Sequence, residues 1–298
     1  MLFIIAGAVL LFLIWTVIEQ KLLTVTDYTV VSNHLPETFE HTKIIMLADL
    51  HNHHFGRKNK RLVKKINNLS PDFILVAGDM INKNENCYPS EAYSLLEELA
   101  VKYKIYYAYG NHEQKIDLIA GNKKEAQKAL SDNLLGESWK DYKENLIKRG
   151  VVFLDNESTS YEKNGSKLLI TGTSIAREFF HRTGIPVMEQ EYLNSLVGEK
   201  KSSEYQILIA HNPVYFSEYT RWGADLTVSG HLHGGLVRLP GVGGVISPQV
   251  KLFPKYSGGH FNENNKQMIV SRGLGSHSMM PRIFNIPEIV SIVLKKHK

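Results

Sequence analysis

A single cysteine, Cys87, leaves the chain no partner for an internal disulfide; it lies among Asn84, Glu85, Asn86 and Tyr88 with no histidine beside it, so thiol chemistry is not expected. A large surplus of basic charge is missing too. Lys and Arg number 35 against 30 Asp and Glu, which leaves +5 over 298 residues, and no block of five or six cations occurs. No nucleic-acid partner is expected on that balance. The stretch Gly241-Val242-Gly243-Gly244 lacks the Gly-Lys-Ser/Thr ending of a phosphate-binding loop and the third spaced glycine of a dinucleotide fingerprint. Internal repeats and low-complexity tracts are absent. With 43% hydrophobic and 22% charged residues, the composition is that of a folded globular chain and excludes both disorder and a bundle of membrane spans.

One long apolar run is present. Leu2 to Ile18 carries no charge before Glu19, Gln20 and Lys21 end it, which reaches the short end of what crosses a bilayer as a helix. It has no basic n-region and no small-x-small cleavage site, so an uncleaved single-pass anchor over 1–21 is expected rather than a secretory signal. Trp15 near one end suits a membrane interface, and the run has no polar face. Lys21 alone leans the body toward the cytoplasm, which leaves the side of the membrane open. Residues 22–41 are expected to be a linker or an edge strand, since Thr24 to Val30 alternates polar and β-branched side chains. Residues 42–298 are expected to form the main folded domain.

In that domain, short β-rich runs each stop at a residue able to bind a metal. Lys43 to Leu47 leads to Asp49-Leu50-His51, Phe73 to Ala77 to Gly78-Asp79, and Ile105 to Tyr109 to Gly110-Asn111-His112-Glu113. Gln206 to Ala210 leads to His211, and Leu226 to Ser229 to Gly230-His231-Leu232-His233. Helical spacing appears between them, at Lys60 to Leu69 and Ser90 to Tyr103, and further helices are expected at Lys123 to Arg149 and Met188 to Val197, as lids or as ordinary packed helices. Alternating strands and helices imply an α/β layered domain, whose ligands bind at the carboxyl ends of the strands.

Each motif alone is weak, because an isolated histidine is more often a hydrogen-bonded core residue than a ligand. Together, two Asp, one Asn and four His at the ends of successive strands are not an accident. Imidazole nitrogen with carboxylate and amide oxygen suits borderline divalent ions such as Mn, Fe or Zn. Asp49, His51, Asp79, Asn111, His211, His231 and His233 are too many for one open catalytic ion and fit two, with one carboxylate shared.

This pattern of Asp-x-His, Gly-Asp, Gly-Asn-His-Glu, His and Gly-His-x-His resembles the calcineurin-like metallophosphoesterases over roughly residues 42–295. Gly234 to Gly241, Ser271 to Gly275, Arg282 and Pro287-Glu288 are similar to a bacterial membrane-associated branch of that family. The resemblance implies a four-layer αββα sandwich, with Val151 to Thr173 and Lys266 to Leu294 supplying the second sheet. It implies Asp49, His51, Asp79 and His233 around one ion, and Asp79, Asn111, His211 and His231 around the other. His112 is left as a non-ligand. The expected reaction is hydrolysis of a phosphomonoester, phosphodiester or pyrophosphate by a water that bridges the ions. His112 is the candidate general acid, oriented by Glu113 or Asp79. His53, His54, His181, His260 and His277 are read as surface or loop histidines, with His53 and His54 the likeliest exceptions. An anchored phosphoesterase makes a lipid-linked phosphoester an attractive substrate. The rival from another class, a catalytically silent scaffold, conflicts with a ligand set in which no member is eroded.

Overall fold

The computed structural model describes residues 1–82, 88–121, 130–181, 184–200, 203–248, 250–276 and 282–297. Cys87, His277 and the first part of Lys123 to Arg149 lie outside those residues.

The first sheet contains β1 (Thr24–Ser32), β2 (Lys43–Leu47), β3 (Phe73–Ala77), β4 (Lys104–Ala108) and β5 (Val152–Leu154). The second contains β6 (Glu157–Lys163), β7 (Ser166–Thr173), β8 (Gln206–Ala210) and β9 (Leu226–Ser229). A two-stranded hairpin, β10 (Val237–Leu239) and β11 (Gly243–Ile246), stands apart from both. The second sheet is completed by β12 (Gly259–Glu263) and β13 (Lys266–Val270), and the first by β14 (Glu288–Lys296). Their orders are β1-β14-β2-β3-β4-β5 and β12-β13-β9-β8-β7-β6. Strands β2 to β5 pair in parallel, as do β7, β8, β9 and β13. Parallel strands covered on both faces need near-continuous apolar sequence, and all five residues of β3 and of β8 are buried.

The period of two divides these runs between two cores. Ile45 and Leu47 of β2 pack toward helices, while Ile44 and Met46 pack into the space between the sheets with Leu75, Ile207 and Val228. On the outer face of the first sheet lie α2 (Lys60–Leu69), α3 (Ser90–Ala100), α4 (Asn111–Gly121) and α5 (Leu130–Lys148), which follow the apolar helix α1 (Leu2–Lys21). The outer face of the second carries α6 (Gln190–Val197) and α7 (Phe216–Trp222), through Leu193 and Tyr219, with Tyr215 just before α7. The result is the four-layer αββα sandwich. Both helices that were candidate lids pack in these outer layers, with Trp139 and Tyr142 of α5 buried in one and Leu193 of α6 in the other.

One assignment is corrected. The stretch Lys266 to Leu294 does not lie wholly in the second sheet: β13 does, but β14 inserts into the first, parallel to β1 and antiparallel to β2. Its alternate residues explain this, since Val290, Ile292 and Leu294 enter the core between the sheets while Ile289 enters the helix-side core. A strand apolar on both faces belongs inside a sheet. Within Val151 to Thr173, β5 likewise pairs with β4 in the first sheet.

The helix α1 is long and apolar enough to cross a membrane. Most of its side chains are exposed, but its last turns touch the domain: Glu19 is buried and accepts the Phe284 N–H at 2.9 Å, and the Gln20 carbonyl lies 3.0 Å from His53 Nε2.

Candidate metal centre

The residues gathered from the strand ends sit on turns that ordinary backbone does not make. Asp49, His51, Asp79, His231 and His233 all have left-handed φ, between 49° and 73°. Such a conformation costs a residue with a Cβ roughly 1–2 kcal/mol, and strain of this kind is characteristically stored at functional sites. Two glycines make room for the turns. A Cβ on Gly78, at φ 80°, would run into the Gly110 backbone, and one on Gly273, at φ 77°, would stand 2.9 Å from Asp49 Cβ.

Buried hydrogen bonds then aim the ligand atoms. His211 Nδ1 faces the Ala77 carbonyl at 2.6 Å, His233 Nδ1 the Gly275 carbonyl at 3.2 Å, and His51 Nδ1 the Asn82 Oδ1 at 3.0 Å. Each acceptor favours the proton on Nδ1 and leaves the Nε2 lone pair for a metal. Around these nitrogens the groups Asp49, His51, His233 and Asp79, His211, His231 each have ligand atoms within 4.8 Å of one another, as do His51, Asp79 and His112. Asp79 Oδ2 is 3.2 Å from His211 Nε2, 3.8 Å from His51 Nε2 and 3.9 Å from His112 Nε2. His51 Nε2 and His233 Nε2 face each other at 3.3 Å. Two imidazole lone pairs so placed repel unless a cation or a proton lies between them. Asn111 Oδ1 is buried without a hydrogen-bond donor, and leaving a buried acceptor unmet costs about 1–3 kcal/mol. The donor set, the facing imidazole nitrogens and the unmet Asn111 oxygen fit divalent ions.

The protein's own charges show the same tension. Burial pushes Asp49 up to about 7, with Asp79 adding to it. Burial also acts to raise Asp79, but the neighbouring His211 and His112 hold it well below the usual carboxylate range. His211 is pushed up to about 10 because the two carboxylates outweigh its burial.

His112 lies in the first turn of α4, with Asp79 Oδ1 accepting its backbone N–H at 2.9 Å. Of the two carboxylates expected to orient its ring, Asp79 stands beside it. Glu113 instead binds backbone, its oxygens accepting the N–H groups of Asp79, Met80 and Gly110 at 2.8, 2.8 and 3.0 Å, and also the Tyr107 hydroxyl at 2.7 Å. One carboxylate thereby ties the loop after β3 to the loop after β4.

Sequence reasoning missed Asn82 and Asn285. Asn285 Nδ2 donates to the carbonyls of His233 and Gly235 at 2.6 and 2.7 Å. The buried guanidinium of Arg282 donates to Gly275 O at 2.8 Å, the same carbonyl that faces His233. Burial, with Arg272 nearby, lowers Arg282 to about 10. His53 meets Gln20 as described, His260 Nε2 lies 2.9 Å from Gln267 Oε1, and His54 and His181 are exposed.

A cavity of about 380 Å³ opens beside His231, with Phe179, Phe180, Ile185, Leu252 and Pro254 among its walls and Lys251 and Lys255 also lining it.

With this geometry in place, comparison with known proteins decides the family. The calcineurin-like phosphoesterase family model matches residues 42–235. The chain belongs to that family. It is a metal-dependent phosphoester hydrolase, of a family that uses a dimetal centre. It is 25% identical over 282 residues to an uncharacterized metallophosphoesterase of Bacillus subtilis, YkuE, covering 93% of this chain and 87% of that one. It is 25% identical over 310 residues to the UDP-2,3-diacylglucosamine pyrophosphatase LpxG of Chlamydia trachomatis, covering 91% and 89%. A transmembrane protein with metallophosphoesterase domain from Danio rerio is 24% identical over 281 residues, with 91% of this chain and 57% of that protein aligned.

Proposed function

We propose that this phosphoester hydrolase acts on a phosphoester or pyrophosphate joined to a lipid group, with α1 anchoring it in the membrane that carries the substrate. The observation that carries the proposal is the apolar cavity beside His231, whose size is that of a small-molecule site. Phe179, Phe180, Ile185 and Leu252 give that cavity an apolar wall suited to hydrocarbon, with the Phe180 ring 5.1 Å from that of His231. The relative that cleaves a diacylated sugar nucleotide supports the same choice.

In this proposal Asp49, His51, Asp79 and His233 hold one divalent ion, and Asp79, Asn111, His211 and His231 the other. The ions supply positive charge that acidifies water and neutralises phosphoryl oxygens. Lys251 and Lys255 would attract further negative charge on the substrate. A panel with the purified full chain, detergent and Mn²⁺ tests the substrate class, comparing an aryl phosphate, a bis-aryl phosphodiester and acylated and deacylated versions of a sugar-nucleotide diphosphate. The acylated diphosphate should give the highest kcat/KM; equal values with and without the acyl chains would overturn the lipid-linked assignment.

His112 would protonate the leaving oxygen, its ring held beside Asp79. His112→Ala should keep its bound metal but slow esters with poor leaving groups by about 10²-fold or more, and activated aryl esters much less. Loss of metal would make it a ligand or a ligand's support. Equal slowing of both ester types would remove the general-acid role.

A further inference from the structure

Large apolar side chains stand exposed on backbone-paired segments beside the cavity. Leu239, Val242, Val250, Leu252, Phe253 and Phe284 are between 42% and 76% exposed. Backbone contacts join them into one surface: Ile283 N–H donates to Leu236 O and Arg238 N–H to Ile283 O, both at 3.0 Å, Leu252 bridges Ile246, and Phe253 N–H donates to Val245 O at 2.8 Å. Scattered exposed apolar residues are ordinary, whereas a contiguous patch marks an interaction surface. The backbone adds a second observation. Val250, Phe253 and Phe284 have φ of 63°, 47° and 53°, a region in which bulky residues are rare. Strained backbone that holds apolar side chains out into water is unfavourable twice over, and hydrocarbon at that surface would relieve one of the two costs.

Two features identify the occupant. The strip begins where α1 leaves the domain, because Glu19 in the last turn of α1 accepts the N–H of Phe284 itself. Exposed cations are interleaved with it, Lys251 between Val250 and Leu252 and Lys255 just beyond Phe253, an arrangement that suits anionic headgroups.

The geometry points to a membrane-seating surface: Leu239, Val242, Val250, Leu252, Phe253 and Phe284 rest in the headgroup boundary of an anionic bilayer, the same bilayer that takes α1. This deepens the proposed function and rests on its anchoring of α1. Leu252 belongs both to the strip and to the cavity wall, so a lipid-linked substrate reaches the site sideways from the leaflet without crossing water.

The test uses the full chain in phosphatidylglycerol-containing nanodiscs, with Cys87→Ser as background and a single fluorophore placed through Leu11→Cys, Phe253→Cys or Val101→Cys. Val101, in the turn before β4, is 76% exposed at the other end of the strands. Nitroxide-labelled lipid should quench most of the emission at positions 11 and 253 and leave position 101 unchanged. Quenching at 11 without quenching at 253 overturns the seating surface while the anchor stands. Quenching at 253 alone leaves a lipid-facing strip but removes the anchor and with it the shared bilayer on which the proposal rests, and quenching at neither removes both. Quenching at 253 by a nitroxide-bearing second copy, but not by lipid, would assign the strip to contacts between copies and overturn the proposal. A Val242→Ser, Val250→Ser, Phe253→Ser variant, which leaves the cavity lining intact, should retain turnover of a soluble aryl phosphate and lose most turnover of a bilayer-embedded substrate; equal retention of both also overturns it.

Discussion

Asp79→Asn is expected to lower activity with added Mn²⁺ by well over tenfold, more than any other single change among the seven candidate ligands. A decade corresponds to about 1.4 kcal/mol of barrier. The expectation follows from position: Asp79 Oδ2 lies within 4 Å of His51 and of His211, which the proposal gives to different ions. His231 and His233 each fall in one cluster only, and His51, which like Asp79 falls in two, offers an imidazole rather than a carboxylate. Asparagine keeps the shape and retains an oxygen for the His112 N–H, so the change removes charge with little loss of local structure. Metal content should fall together with activity. Retention of more than about a tenth of the parent rate would rule out a carboxylate shared between two ions.

The positions of these candidate ligands at strand ends were legible in the sequence because each follows a run that a buried parallel strand requires. FILVA and QILIA can be little else once glycine or a metal-binding residue ends them, and β3 and β8 match those runs residue for residue. Sheet membership was not legible. The apolar residues of Glu288–Lys296 fit either sheet, and only its pairing with β1 and β2, more than 240 residues away, decides between them. Helix α4 was missed for a different reason. Ile116 is its one buried apolar side chain among the residues described, so it leaves almost no periodic signal. The contacts that steady the ligands were hidden because they cross between strand ends: Asn82 to His51, Asn285 to His233 and Arg282 to Gly275. No spacing rule anticipates these. The left-handed turns at Asp49, Asp79 and His233 belong to the same class, since their cost is offset by surroundings drawn from both sheets.

Glu113 shows how much of the site depends on a residue that touches no candidate ion, and its removal should have the largest effect on stability. Glu113→Ala would leave three buried backbone N–H groups and the Tyr107 hydroxyl without their acceptor. Each unmet donor costs about 1–3 kcal/mol, less wherever water can enter the space left behind. A net loss of about 3 kcal/mol or more is expected, which for a chain of this size lowers Tm by roughly 6–12 °C. Glutamine should do less harm. Burial first, and then the charge of Asp79, push Glu113 up to about 7, so a neutral side chain removes an unfavourable charge while keeping one acceptor oxygen. Yet its NH₂ must face donors: Asp79 and Gly110 on one side, Met80 and Tyr107 on the other. Tyr107 alone can turn its hydroxyl to accept, which leaves Met80 N–H unmet. The expected order of Tm is therefore parent, Glu113→Gln, Glu113→Ala. Since the carboxylate holds the Asp79 turn against the Gly110 turn, the alanine variant should also bind metal more weakly below its melting transition. Calorimetry with metal analysis on the three proteins checks both points. An alanine variant that melts within about 2 °C of the parent, less than one unmet donor should cost in a chain of this size, would show that water replaces the carboxylate and that the two loops hold their geometry without it.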